Sequence, residues 1–138
     1  MKNFYGSIFI NRDQLREAGI DYPIKVEYYK IINEEEKIKE NKLIYGIQAI
    51  KTEYRNKIGI EQKTIEHITN DESEIAKMLS LVKRNEVTPI GLEDVILEIK
   101  SRQAIAKKQK LRFMVSVKEY RLLQGHFLQQ LKETWRLG

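Results

Sequence analysis

Cysteine is absent from the 138 residues. That excludes a disulfide scaffold, a thiol nucleophile, an iron–sulfur cluster and any thiolate zinc site. It also removes any reason to place the chain in an oxidising compartment. Histidine occurs only twice, as His67 and His126, and neither has a second histidine at metal-ligand spacing. Each reads as a structural or exposed histidine rather than a base. There is no phosphate-binding glycine loop and no nucleophile elbow. Gly46, Gly59 and Gly91 stand alone, and isolated strand glycines mark a bulge or a close approach more often than a ligand site. No run approaches the roughly 20 apolar residues of a membrane-spanning helix. Internal repeats and low-complexity segments are missing too.

The first ten residues, MKNFYGSIFI, open like a short signal peptide. They lack a small-residue cleavage site, and Asn11-Arg12-Asp13 ends the apolar run. The segment reads as a strand, and the expected location is the cytoplasm.

What is present is an uneven charge. The net charge is +5. Residues 1–99 hold 15 Lys and Arg against 18 Asp and Glu, a balance of −3, while residues 100–138 hold 10 against 2, a balance of +8. Such asymmetry suggests a basic arm that meets an acidic partner. The length suits a single domain with a real core.

Ile24, Val26, Tyr28 and Lys30 alternate with Lys25, Glu27 and Tyr29, the period of a strand. Pro23 opens it, where a missing N–H does little harm. The charged stretch of residues 34–42 reads as a solvated hairpin loop; the lysines within it would compete for the carboxylates of any metal site. Residues 43–50 are apolar on both faces, which suits a central strand covered on both sides. Tyr54-Arg55-Asn56-Lys57 reads as a turn with Asn56 left-handed. Ile58, Ile60, Gln62 and Thr64 restore the period of two. The expectation is a meander of three strands, with residues 4–10 as a possible fourth.

The period changes at Asn70. Asp71 and Glu74 have capping-box spacing, the glutamate reaching back to an exposed amide. Ile75, Met78, Leu79 and Val82 form one helical stripe, which should pack on Tyr45, Ile47 and Ala49. Lys83 and Arg84 suit its C-terminus. A second helix follows, with Thr88 as cap, Pro89 in first position, and Glu93 and Asp94 supplying negative charge near its start. Leu92, Val95, Ile96 and Ile99 are its stripe. The expected fold is α+β: an antiparallel meander of three to four strands covered by two helices over residues 1–99, then a basic helical tail over residues 100–138, as one continuation or two pieces.

Residues 43–99 resemble a family of small uncharacterised proteins of Gram-positive, largely anaerobic spore-forming bacteria, known as a domain of unknown function. Tyr45-Gly46-Ile47, Ile68-Thr69-Asn70-Asp71 and, most specifically, the run from Arg84 through Thr88-Pro89-Ile90-Gly91-Leu92 to Val95 carry the resemblance. It implies an intracellular bacterial protein with this meander-plus-helices plan, and supplies neither an activity nor catalytic residues. Members of that family end soon after the stretch corresponding to residues 92–99, so the basic tail is a departure.

No cofactor, catalytic residue or small-molecule substrate is inferred. Asp13 and Glu17, and Glu36 and Glu40, lie four apart, but basic neighbours make each pair a solvated surface. The tail offers two candidate surfaces. Lys100, Arg102, Lys107, Lys108, Lys110 and Arg112 lie in a run without an acid and could meet nucleic acid or an acidic partner; a solvated connector is the plain alternative. Tyr120, Leu123, Phe127, Leu131 and Trp135 recur every three or four residues and could pack on a partner protein, a second copy or the chain's own domain. Gly125 is the weak point of that helix. The expectation is a non-enzymatic protein-binding or regulatory module, with nonspecific nucleic-acid binding next, a membrane surface disfavoured and an enzyme last.

Overall fold

The computed structural model describes residues 1–37 and 40–137, with side chains at residues 1–11, 13–35 and 42–114. The order is β1 (Lys2–Ile10), α1 (Arg12–Arg16), β2 (Ile24–Lys37), β3 (Glu40–Glu53), β4 (Gly59–Thr69), α2 (Glu72–Arg84) and α3 (Pro89–Leu137). The chain divides into two units, Met1–Glu98 and Ile99–Gly138.

In the first unit four strands form one antiparallel sheet in the order β1-β2-β3-β4. The alternation read from the sequence sets its faces. Ile24, Val26 and Tyr28 of β2 and Tyr45, Ile47 and Ala49 of β3 are buried on one face. The expected stripe of α2, Ile75, Met78, Leu79 and Val82, is buried too, and α2 lies against all four strands. Leu92 and Ile96 of α3 complete this core.

The loop expected over residues 34–42 is instead the far end of a long hairpin. β2 runs to Lys37 and β3 starts at Glu40. Glu35 pairs with Lys42 and Lys37 with Glu40 across the ladder. Glu35 and Lys42 carry opposite charges at facing positions, which supports the pairing. Asn56 is not left-handed; the non-glycine residues with positive φ are His67 and Glu86 among those described. The helix α1 had no signal beyond Leu15, its buried residue. Gly19, at φ 76°, ends that turn so that the Ile20 amide reaches the Leu15 carbonyl at 2.9 Å.

Asp71 caps α2, accepting from the amides of Ser73 at 2.9 Å and Glu74 at 3.4 Å. Glu74 does not reach back to an amide. Its carboxylate accepts the Thr69 hydroxyl at 2.8 Å, and Thr69 Oγ1 accepts the Asp71 amide at 3.1 Å. Threonine thus relays the box. At the other end Glu86, at φ 52°, lets the Val87 amide bond to the Val82 carbonyl at 3.1 Å and its own amide bond to Lys83. These bonds satisfy carbonyls that the helix end leaves open, in a position where glycine is commoner. Pro89 starts α3 as expected, but its first turn holds no acid; Glu93 and Asp94 lie beyond it, where the dipole has faded.

One backbone distortion shapes β4. Tyr45 pairs with Thr69 and Ile47 with Ile65, so Gly46 alone faces Glu66, His67 and Ile68. A Cβ at Gly46 would run into the Ile65 carbonyl oxygen and the Glu66 Cα. The glycine therefore serves a close approach, and the bulge returns Ile68 to the core.

Candidate functional surfaces

The two faces of the sheet differ in chemistry. On the helix-covered face Tyr28 is wholly buried, and its hydroxyl donates to the Val87 carbonyl at 2.7 Å. That bond ties the link between α2 and α3 to the sheet. Burial, helped by the charge of Glu86, pushes the Tyr28 phenol well above its ordinary range. At the margin of the same face the Lys51 ammonium sits 3.3 Å from Glu53 and 3.0 Å from Glu61. Burial opposes its charge, but hydrogen bonds to the two carboxylates overcome that and raise its affinity for the proton. These groups hold the fold.

The opposite face was expected to be covered along β3. No helix lies over it within the described first unit, because the apolar stripes of α2 and α3 both serve the other face. Strand pairing sets its rows: Phe9, Lys25, Thr52 and Ile60 in one, and Phe4, Tyr29, Gln48 and Thr64 in another. Phe4 is 61% exposed, Phe9 59% and Ile60 70%. Phe4 meets the edge of Tyr29 at 5.5 Å, and Phe9 stacks with Tyr54 at 6.2 Å. The Lys2 ammonium lies 4.1 Å over the Tyr29 ring. The Tyr29 hydroxyl donates to Glu27 at 2.6 Å, and Lys25 reaches the same glutamate at 3.5 Å. The Tyr29 bond, then Lys25, outweigh burial and lower the Glu27 carboxyl; the same bond raises the Tyr29 phenol. Sequence reasoning read Tyr29 and Ile60 only as strand periodicity. The missed signal was that the residues alternating with the core positions are themselves aromatic or aliphatic.

Of the residues picked from sequence, Lys100, Arg102, Lys107, Lys108, Lys110 and Arg112 are all exposed on α3. At 100° per residue they leave no gap wider than about 80° around the axis, so they make a collar rather than a stripe. Over the same segment Ile105, Leu111, Phe113 and Met114 are exposed as well. Tyr120, Leu123, Phe127, Leu131 and Trp135 belong to the α3 backbone, as does Gly125, and their side chains and that of His126 lie outside the described residues.

His67 sits in the bulge of β4, exposed, 3.8 Å from Glu66. Asp13 is exposed on α1, and Glu17 caps its end. A shallow depression between Tyr22 and Tyr54 is lined by Asp21 and Arg55, but Arg55 is bonded to Glu53 at 3.2 Å. Among the described residues no three His, Asp or Glu side chains gather as metal ligands, and no helix is long and apolar enough to cross a membrane.

No curated protein and no solved structure matches this chain. A family of unknown function, DUF6514, matches residues 7–102. The match takes in the end of β1, all of β2 to β4, α1 and α2, and the first turns of α3, including the run from Arg84 to Val95. The chain belongs to the family of unknown function DUF6514.

Proposed function

We propose that this protein is a non-enzymatic, cytoplasmic protein-binding or regulatory module that engages its partner through the part of α3 beyond residue 99. One observation carries the reading. The helix continues past the folded first unit, and its described continuation leaves Phe113 70% exposed, with Ile105, Leu111 and Met114 in the same condition. Isolated helices draw little stability from propensity alone and depend on packing of an apolar face. The sequence continues at the same spacing from Phe113 to Tyr120, Leu123, Phe127, Leu131 and Trp135. Trp135 is the single tryptophan, which makes it a clean reporter. In the full chain purified gently from its host, light scattering should show a mass above the monomer, and Trp135 should emit as a buried indole. Leu131→Lys should remove from that mass the partner held on the tail and give a solvent-like emission. A monomer whose Trp135 is already solvated would remove the support for this reading.

A second reading rests on the basic collar of residues 100–112. Six exposed cations without an intervening acid favour polyanions through counterion release. Nothing in the collar suggests base readout, so any nucleic-acid binding would be nonspecific. Anisotropy with random-sequence DNA and RNA tests it. Salt-sensitive binding that is lost when Lys107, Lys108, Lys110 and Arg112 become glutamine would favour this reading. An absence of binding at low salt would end it.

A further inference from the structure

We propose that the open face of the sheet is the surface through which two copies of this chain associate. The face carries Phe4, Tyr29, Phe9 and Tyr54 as two ring pairs and Ile60 at the β4 edge, with three of these side chains more than half exposed. Large apolar side chains gathered on one open face, among polar groups already paired with one another, make an interaction surface.

Three features single out a second copy as the occupant. The first is charge. Alternation places Lys2, Lys25 and Lys42 on this face against Glu27 and Glu35, close to neutrality. The central charges are already bound to one another, through Lys25–Glu27 and Tyr29–Glu27. The face therefore asks for no polyanion, and residues 1–99 are net negative. It suits a surface of its own composition.

The second is the row pattern. Phe9 and Ile60 are the two ends of one row, Phe9–Lys25–Thr52–Ile60. A twofold axis along the strands, between β2 and β3, lays β1 of one copy over β4 of the other. The Phe9 ring then meets the Ile60 side chain, and Phe4 meets Thr64. Such an interface is self-complementary, as a twofold dimer requires.

The third is area. Four strands about 4.8 Å apart and seven residues at about 3.3 Å give a footprint of roughly 440 Å², before side-chain relief is added. That places the interface near the small end of specific association, about 600–800 Å² of accessible surface per partner. The expected dimer is one that dilution reverses.

The cysteine-free sequence allows a direct test that does not depend on the tail. Gln48 lies at the centre of the face, and Ala76 is exposed on α2. Face-to-face sheets pack about 10 Å apart, within reach of a short bismaleimide. Full-length Gln48→Cys at micromolar concentration should form covalent dimer roughly tenfold or more faster than Ala76→Cys, because only the former is held at high effective concentration. Adding Phe9→Asp to Gln48→Cys should abolish the difference. Thr52→Cys, on the same strand and face, serves if Gln48→Cys folds poorly. Association through the tail alone would raise both cysteines alike. Equal rates at the two positions, or a Gln48→Cys rate untouched by Phe9→Asp, would overturn the proposal and leave the reading of the tail standing.

Discussion

Replacing Tyr28 with phenylalanine removes one oxygen from the centre of the core and leaves its packing intact. In the native chain that oxygen is fully buried and donates to the Val87 carbonyl at 2.7 Å. Val87 is itself buried, between α2 and α3. Tyr28→Phe leaves its carbonyl without this partner, which costs about 1–3 kcal/mol. In the 98 residues of Met1–Glu98, a loss of 1 kcal/mol lowers Tm by about 4–8 °C. The substitution also changes the response to alkali. The Tyr28 phenol titrates above its ordinary value in the folded chain, by burial first and Glu86 second. The folded state thus keeps a proton that the unfolded state loses from about pH 10 upward. Its stabilising effect is complete below that pH and falls by about 1.4 kcal/mol per pH unit above it, until the folded phenol ionises. Tyr28→Phe removes this slope. The assay is urea unfolding followed by near-ultraviolet tyrosine dichroism, since Trp135 lies outside the first unit. Measurements at pH 7, 10 and 11 give both quantities. A loss under about 0.3 kcal/mol at neutral pH, with an unchanged alkaline slope, would refute the assignment of Tyr28 as the tie between sheet and helices.

Leu79 is 1% exposed, so Leu79→Ala should cost about 2–5 kcal/mol; a loss under about 0.5 kcal/mol in urea titration would put α2 on the wrong face. Gly46→Ala drives a methyl group into the β4 backbone at Ile65 and Glu66 and should cost about 1–3 kcal/mol, the range for overpacking; an unchanged urea midpoint would mean that the bulge is absent in solution. Asp71→Ala removes the side-chain acceptor of two amides and should cost about 1 kcal/mol by thermal unfolding, and a neutral result would contradict the cap. If the basic collar binds duplex DNA with all six cations, the slope of log affinity against log salt should be roughly −5, and a collar that cannot turn every side to one duplex should give less.

The fold was legible where period and chemistry agree. Val26 and Tyr28 on one strand, and Ile75, Met78, Leu79 and Val82 on one helix, declare both the element and its buried side. Asp71, Pro89 and the cations at Lys83 and Arg84 mark helix ends by mechanisms that act locally. The failures share a cause. The hairpin end over residues 34–42 looked like a loop because charged residues do not announce a strand, yet pairing across the ladder satisfies their backbone regardless of side chain. Asn56 was favoured for a left-handed conformation on residue preference. The chain spends that conformation at His67 and Glu86 instead, where the bulge and the helix end require it. Glu74 reaches Thr69 rather than an amide because a hydroxyl two residues before the cap stands in the way. The candidate surfaces divide in the same manner. The cations of residues 100–112 were plain from composition. The aromatic face was not, because Phe4, Phe9, Tyr29 and Tyr54 meet only when three strands are in register.

The role of the tail is tested most directly by a photo-reactive amino acid placed in turn at Phe127, Gln129 and Leu131 of the full-length chain in its host. On a helix Phe127 and Leu131 lie close to one line, and Gln129 lies about 160–200° away. A partner seated on the apolar stripe should give a discrete, saturable protein adduct from Phe127 and Leu131 and little from Gln129. Equal labelling from all three positions, or adducts to nucleic acid and lipid alone, would contradict the assignment of this helix as a protein-binding surface.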